Sequence, residues 1–223
     1  MQLIAAKNIS HTLSNTSKMP GKSYSLSAAR CKVGSKLRNV KGSVCEGCYA
    51  MKGAYIWRPT IEAMSKRMDS LTNPLWVDAM VAQVKRQTFF RWHDSGDLQS
   101  IDHLAKICAV AEQTPDTKHW LPTREKGILK AYKGVIPSNL VVRLSAAMVD
   151  GAPPKGSANT STVHTSDPIG HVCPAERTLK DGVVLSETKY SELKRGHGLD
   201  LGHCGDCRAC WSPKIENVSY HKH

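Results

Sequence analysis

Between residues 88 and 165, short runs of apolar and aromatic residues alternate with stretches of helical period, and this restricts the chain to a few architectures. Residues 88–93 (TFFRWH) are expected to be a strand, left through the turn Ser95-Gly96-Asp97. Ser100 stands where it can cap a helix whose Ile101, Leu104, Ala105 and Cys108 share an apolar face, with Pro115 as its stop. A second strand over 118–121, a helix over 125–133 and a third strand over 139–145 follow. Residues 151–161, with their prolines and glycines, are expected to be a loop, and 162–165 a fourth strand. Strands separated by helices at this spacing build parallel βαβ units. The expected fold is therefore α/β: an incomplete parallel (β/α) barrel or sheet, with a cysteine-rich, metal-bound C-terminal segment. Ligands of such sheets bind at the carboxyl ends of the strands. Residues 94–97, residues 123–125 and Ser145 occupy those positions.

Upstream, Ile61, Met64, Met68 and Leu71 recur at helical spacing over 60–71. Asn73 as cap and Pro74 at the first helical position predict a further helix running to about Arg86. Residues 1–50 are rich in Ser, Gly and Lys and are expected to hold a strand or two leading into a cysteine loop. The tail, 180–223, is expected to need a metal as organiser, because its side chains promise little core. The chain is read as one domain over 1–223. It divides into a basic segment with the first cysteine group (1–50), a βα core (51–150), and a loop with the second cysteine group (151–223).

Seven of the eight cysteines fall into a group of three and a group of four. Cys31, Cys45 and Cys48 form the first, in the pattern Cys-x13-Cys-x2-Cys. Cys204, Cys207 and Cys210 form a CxxCxxC run, with Cys173-Pro174 upstream as a fourth member. Four thiolates close a tetrahedral metal site or saturate an iron–sulfur cube, whereas three leave a corner open. A run of three cysteines at this spacing, with a further Cys-Pro, is the pattern of ferredoxin-type 4Fe-4S loops. Zinc is the alternative metal, with His203 or His197 as substitute ligands. Cys173 could equally complete the first group and leave the CxxCxxC run as the three-ligand site. The plain alternative for the first group is a CxxC redox pair beside a structural thiol. Cys108 belongs to a helix core.

The other candidates each have an ordinary reading too. Ser95-Gly96-Asp97 is turn chemistry, or a carboxylate at a strand end aimed at a ligand amine. His93 and Asp94 are structural, or serve metal and proton transfer. Arg124 and Glu125 pair with each other or face the site. Trp57, Trp92, Trp120 and Trp211 are read as packing residues.

No apolar run approaches the roughly 20 residues that cross a bilayer, so no membrane partner is expected. Residues 1–7 are too short and too polar a lead to be a secretory signal. The chain is expected in the cytoplasm, that of the host if phage-encoded, where clustered cysteines signify metal rather than disulfides. Of the net charge of +12, residues 1–45 supply eight Lys or Arg and no acid. Such a block suits nucleic acid or another anionic partner.

Five stretches together resemble one family: 17–26 (SKMPGKSYSL), 45–50 (CEGCYA), 91–99 (RWHDSGDLQ), 119–125 (HWLPTRE) and 203–211 (HCGDCRACW). This is the phage- and plasmid-borne group called gene product eighty-eight. Membership of it implies no particular activity. The chain is more distantly similar to radical S-adenosylmethionine (SAM) enzymes. That resemblance implies a partial parallel barrel, with a three-cysteine loop after the first strand holding a 4Fe-4S cluster. SAM chelates the open iron of the cluster by its amino and carboxylate groups. It assigns Cys31, Cys45 and Cys48 to the cluster, and Tyr49, Ser95, Gly96 and Asp97 to SAM, with Gly96-Asp97 in place of a Gly-Glu element. It also implies an auxiliary cluster on Cys173, Cys204, Cys207 and Cys210. The chain departs from that pattern in its 13-residue first gap, in Asp for Glu, and in having room for four to six strands. The alternatives are a non-catalytic iron–sulfur or zinc protein that binds nucleic acid or a host partner through its basic segment, and a redox carrier.

Overall fold

A computed structural model describes residues 1–193 and 200–222. Its centre is an eight-stranded sheet in which β1 (Ser14–Asn15) pairs antiparallel with β2 (Lys22–Tyr24) at one edge. From β2 onward every pairing is parallel, through β3 (Phe89–Trp92), β4 (Lys118–Thr123), β5 (Leu140–Val149), β6 (Thr160–His164) and β8 (Asn217–His221) to the short edge strand β7 (His171–Val172). Strands β2 to β6 lie side by side in chain order. Parallel connections are right-handed, so an order without reversals sends every crossover helix to the same face.

That face carries the main core. Phe90 and Trp92 of β3, Leu121 of β4 and Leu140 of β5 pack against Met68 of α3 (Arg58–Ser70), Trp76, Met80 and Val84 of α4 (Trp76–Val84), and Leu104 and Ile107 of α5 (Ile101–Glu112). Ile128 and Leu129 of α6 (Lys126–Ala131) border it. Residues at alternate positions point the other way, as a strand requires. Phe89 and Trp120 meet Ala209, Cys210, Trp211 and Val218 in a second apolar cluster on the opposite face.

Local signals survive where the sequence makes them strong. Ser100 Oγ accepts the His103 amide at 3.0 Å and caps α5. Strands β3, β4 and β6 and helices α3 and α6 stand within a few residues of their expected places. Several expectations need correction. Residues 3–10 form a helix, α1 (Leu3–Ser10), whose buried Ala6 packs on Ala79 and Ala82 of α4. Helix α4 starts at Trp76, because Asn73 Oδ1 instead accepts the Leu75 amide in a turn. Ile61 and Ile101 are exposed, and so is Trp57 at 65%. The tail does contribute core through Trp211 and Val218, and it adds the inserted strand β8.

Strand β5 continues past its expected end at Ser145, because residues 42–44 return to pair with it. The Val44 amide donates to Ala147 O (2.9 Å), the Val149 amide to Gly42 O (2.9 Å), and Ser43 bridges Met148.

A pH dependence is built into the core. His119 Nδ1 accepts from Trp92 Nε1 (3.2 Å) and its Nε2 lies 2.9 Å from Thr114 Oγ1, whose own proton goes to Val110 O (2.7 Å). The neutral ring is fully paired, and burial pushes its pKa down to about 4. The unfolded chain therefore binds the proton first, and stability falls as pH drops from 6.5 toward 4, by about 3 kcal/mol from this group. Urea titrations of His119→Gln across that window should show a flatter slope than the wild type.

Candidate metal and ligand site

The sheet order places the first cysteine group. Strand β2 ends at Tyr24, a 3-10 turn follows at Ala28–Arg30, and Cys31 then opens the short helix α2 (Lys32–Leu37). The chain crosses to the end of β5 before Cys45, and the Cys48 amide turns back onto Cys45 O at 3.2 Å. Gly34 of α2 faces the thiols: a Cβ there would stand 3.7 Å from Cys31 Sγ, 3.6 Å from Cys45 Sγ and 3.1 Å from Cys31 Cβ. A glycine inside a helix costs roughly 1 kcal/mol relative to alanine, and here it leaves room beside the sulfurs. Burial pushes the Cys31 thiol up to about 12, reinforced by Asp97, Cys48, Cys45 and Glu125. Cys45 is raised as well, again chiefly by burial.

Opposite the thiols lie the carboxyl ends of β3 and β4. A cavity of about 110 Å³ is lined by the three cysteines, Tyr49, residues 93–97, residues 122–124, Arg38, Arg91 and Ser145. Ser95 and Leu26 bind each other twice, Leu26 N to Ser95 O (2.8 Å) and Ser95 Oγ to Leu26 O (2.9 Å), so the ends of β2 and β3 are stitched together. Gly96 has φ +84°, and a Cβ on it would stand 2.7 Å from Leu26 Cβ. Asp97 Oδ1 accepts from the Leu98 amide (2.7 Å) and the Thr123 hydroxyl (2.6 Å), and Oδ2 accepts the Arg124 amide (2.9 Å). Burial pushes its pKa up to about 6 against those hydrogen bonds. Tyr49 lines the cavity and donates its hydroxyl to Asp94 O.

Asp94 was read as structural or as a metal or proton group, and it is a hub of hydrogen bonds. Ser23, Ser25 and Tyr55 all donate to its carboxylate. Burial raises its pKa, but Arg91 and these hydroxyls outweigh burial and hold it below the usual carboxylate value. His93, at φ +64°, binds Tyr24 O through Nδ1 (2.9 Å). Glu125 accepts the Val33 amide (2.8 Å), which anchors the start of helix α2 just after Cys31.

A model of the family described as Gene product 88 matches residues 2–213. The chain belongs to the Gene product 88 family. No curated protein and no solved structure matches it.

The second cysteine group of this Gene product 88 protein lies on the sheet face away from the helices. Cys173 interacts with Cys210, Cys204 and Cys207, so the structure groups it with the CxxCxxC run rather than with Cys31. Burial pushes Cys173 up to about 12 and Cys210 up to about 11. The Cys173 amide is held by Ser219 O (2.8 Å), that of Cys204 by Lys18 O (2.9 Å) and that of Cys207 by Cys204 O (3.0 Å). Tyr220 Oη lies 3.1 Å from Cys210 Sγ, and His171 Nε2 lies 3.5 Å from Cys207 Sγ. His203 Nε2 faces Asp200 at 3.0 Å, and His197 lies outside the described residues. Among the described residues, no three His, Cys, Asp or Glu side chains converge as the ligands of one metal ion.

Sequence reasoning missed the residue that shapes this loop. Arg143 of β5 is fully buried and donates to Ala209 O (2.8 Å), Cys210 O (3.1 Å), Ser212 O (2.8 Å), Thr160 O (3.2 Å) and Ile215 O (2.9 Å). A charge inside the run LVVRLS is the one signal that could have found it. Arg91 was missed as well. It stacks 4.5 Å from the centre of Trp120, and Asp94 and Cys210 are among the groups that act on its charge. Half of the basic N-terminal block is engaged within the chain. Lys18 reaches Leu201 O, Lys32 binds Gln99 O, Arg38 binds Ala28 O and Arg30 faces Asp69. Lys7, Lys22, Lys36 and Lys41 are exposed.

Two substitutions test these supports. Arg143→Gln strands several buried carbonyls and should cost about 3–5 kcal/mol in chemical denaturation, with Cys210 becoming faster to alkylate. Gly96→Ala places a side chain in a left-handed, crowded position and should cost at least ~1–3 kcal/mol.

Proposed function

We propose that this protein is an iron–sulfur enzyme related in design to the radical SAM class. In this reading Cys31, Cys45 and Cys48 hold a 4Fe-4S cluster with one iron open to a ligand, and Cys173, Cys204, Cys207 and Cys210 hold an auxiliary cluster. The observation that carries the reading is topological. The three-cysteine loop follows the first strand of a one-directional parallel run, Gly96-Asp97 follows the second, and both line one cavity.

Sets of three and four thiols are the donor chemistry of such groups, although among the described residues neither set is gathered as the ligands of one ion. Gly34 leaves open space beside two sulfurs of the first set. In the second set, a hydroxyl and an imidazole already lie against two of the sulfurs, as partners outside the ligand shell do in metal sites. Cys45 is a buried and Cys31 a half-buried thiol, both with raised pKa, whose protons a metal would displace. Zinc is the alternative occupant of either set.

A reduced 4Fe-4S cluster supplies one electron to a ligand on its open iron. The remaining work belongs to the chain. Asp97 Oδ2, with one hydrogen bond from the Arg124 amide, keeps acceptor capacity for a ligand ammonium. Tyr49 borders the space on one side. At about 110 Å³ the cavity is smaller than the roughly 300 Å³ of ordinary cofactor pockets. It therefore admits one end of a ligand rather than a whole cofactor. The chain acts in the cytoplasm in this reading. A second reading, nucleic-acid or host-partner binding through residues 1–45, draws on the exposed Lys7, Lys22, Lys36 and Lys41.

The deciding assay is iron and acid-labile sulfide on protein purified without oxygen. About eight irons per chain with matching sulfide are expected, falling to about four in Cys45→Ser and again to about four in Cys210→Ser. The anaerobic, reduced protein should cleave SAM, and Asp97→Asn should bind it more weakly while keeping its iron. Stoichiometric zinc without sulfide would sink this reading. DNA binding that weakens steeply with salt and survives Asp97→Asn would favour the second.

A further inference from the structure

Three arginines from three parts of the chain line the cavity beside the first cysteine group: Arg38 after α2, Arg91 on β3 and Arg124 at the end of β4. In each, Nε is buried and has no hydrogen-bond partner among the described residues. Unpaired buried N–H groups are costly and rare in folded proteins, so three around one cavity call for a common explanation. The contacts these side chains do make leave capacity to spare. Arg38 Nη2 donates to Ala28 O at 3.1 Å. Among the described residues, the Arg91 side chain has only a 3.4 Å contact from Nη1 to Met19 Sδ and a 3.5 Å contact from Nη2 to Tyr49 Oη.

The carboxylates lining the cavity take their hydrogen bonds from groups other than the three guanidiniums. Those of Asp94 come from Ser23, Ser25 and Tyr55, and those of Asp97 from Leu98, Thr123 and the Arg124 amide. Asp94 and Asp97 act on the charges of Arg91 and Arg124, but among the described residues no carboxylate accepts a hydrogen bond from any of the three guanidinium groups. Guanidinium forks suit planar carboxylates and phosphate oxygens, and bind them more strongly than neutral donors do.

We propose that the cavity is an oxyanion pocket, in which Arg91 and Arg124, with Arg38 as a third cation, grip a carboxylate or phosphate group of the substrate. This rests on the reading of the cavity as the functional site and narrows its substrate to an anionic molecule. The volume of about 110 Å³ admits one such group, with the rest of a larger ligand outside.

The test is calorimetric titration of the full-length, anaerobically purified protein with inorganic phosphate and, separately, with acetate. Iron and sulfide are assayed on every sample. Saturable binding of one anion at one site per chain is expected, and which of the two binds tells phosphate from carboxylate. Arg91→Gln and Arg124→Gln should each weaken it about tenfold or more at unchanged iron and sulfide. Arg124→Lys, which keeps the charge but loses the fork, should fall between wild type and Arg124→Gln. It also carries the test should Arg91→Gln, stripped of its stacking on Trp120, fail to fold. Absence of saturable binding overturns the proposal. So does binding that neither variant changes, or variants that lose iron and sulfide while keeping anion affinity, since the arginines would then serve the metal group. Anion binding that responds to the variants in protein without iron or sulfide would keep the oxyanion pocket and remove the cluster.

Discussion

The buried carboxylate of Asp94 is where the strands and the candidate site are tied together. It sits just past β3, yet the hydroxyls bound to it come from Ser23 and Ser25, at β2 and just beyond, and from Tyr55 in the segment after the first cysteine group. Its own backbone carbonyl takes the Tyr49 hydroxyl, and its amide reaches Ser23 Oγ at 3.1 Å. Burying a carboxylate is costly unless hydrogen bonds and a nearby cation compensate. Here three hydroxyls and the charge of Arg91 do so. One side chain thus fixes the end of β2, the end of β3 and the loop carrying Cys48 relative to one another. The reciprocal bonds between Leu26 and Ser95 repeat that link one residue further on.

A second buried charge organises the other face. Arg143 points away from the helices and spends its donors on backbone carbonyls from residues 209–216 and from Thr160. A segment with little regular structure of its own is thereby given a fixed path, and Trp211 locks it by donating Nε1 to Phe90 O at 3.0 Å. The two cysteine groups therefore sit on one sheet by different means, the first through strand ends and the second through an arginine cradle. Arg91 is linked to both, since Asp94 and Cys210 are among the groups that act on its charge.

How much of this is legible in the sequence depends on how local the cause is. The cap at Ser100, the strand at Phe89–Trp92 and the turn at Gly96 are set by neighbours within a few residues, and they stand where the pattern puts them. Helix α1 was hidden because its buried residues, Ala6 and Ser10, are small, and it is held by packing on Ala79 and Ala82. Strand β8 reads as polar, NVSYH, and becomes a strand by pairing between β6 and β7. The roles of Arg143 and Arg91 follow from burial that no periodicity reveals. The cysteines were legible as groups, but the nearness of Cys173 to the CxxCxxC run follows only from the fold, which carries β7 and the 204–210 loop to the same place.

The long gap between Cys31 and Cys45 has a geometric cause. A compact cysteine loop rests on the end of a single strand, whereas here the chain leaves β2 and is next pinned by pairing residues 42–44 to the end of β5. Three interstrand steps separate those strands, a distance of about 14 Å across a flat sheet. The 13 intervening residues, with helix α2 among them, cover that crossing and return Cys45 to within reach of Cys31 over Gly34. The positions of the three thiols consequently depend on how the parallel sheet curves between β2 and β5. A change far from the cysteines that alters this curvature acts on the site as directly as one inside the loop.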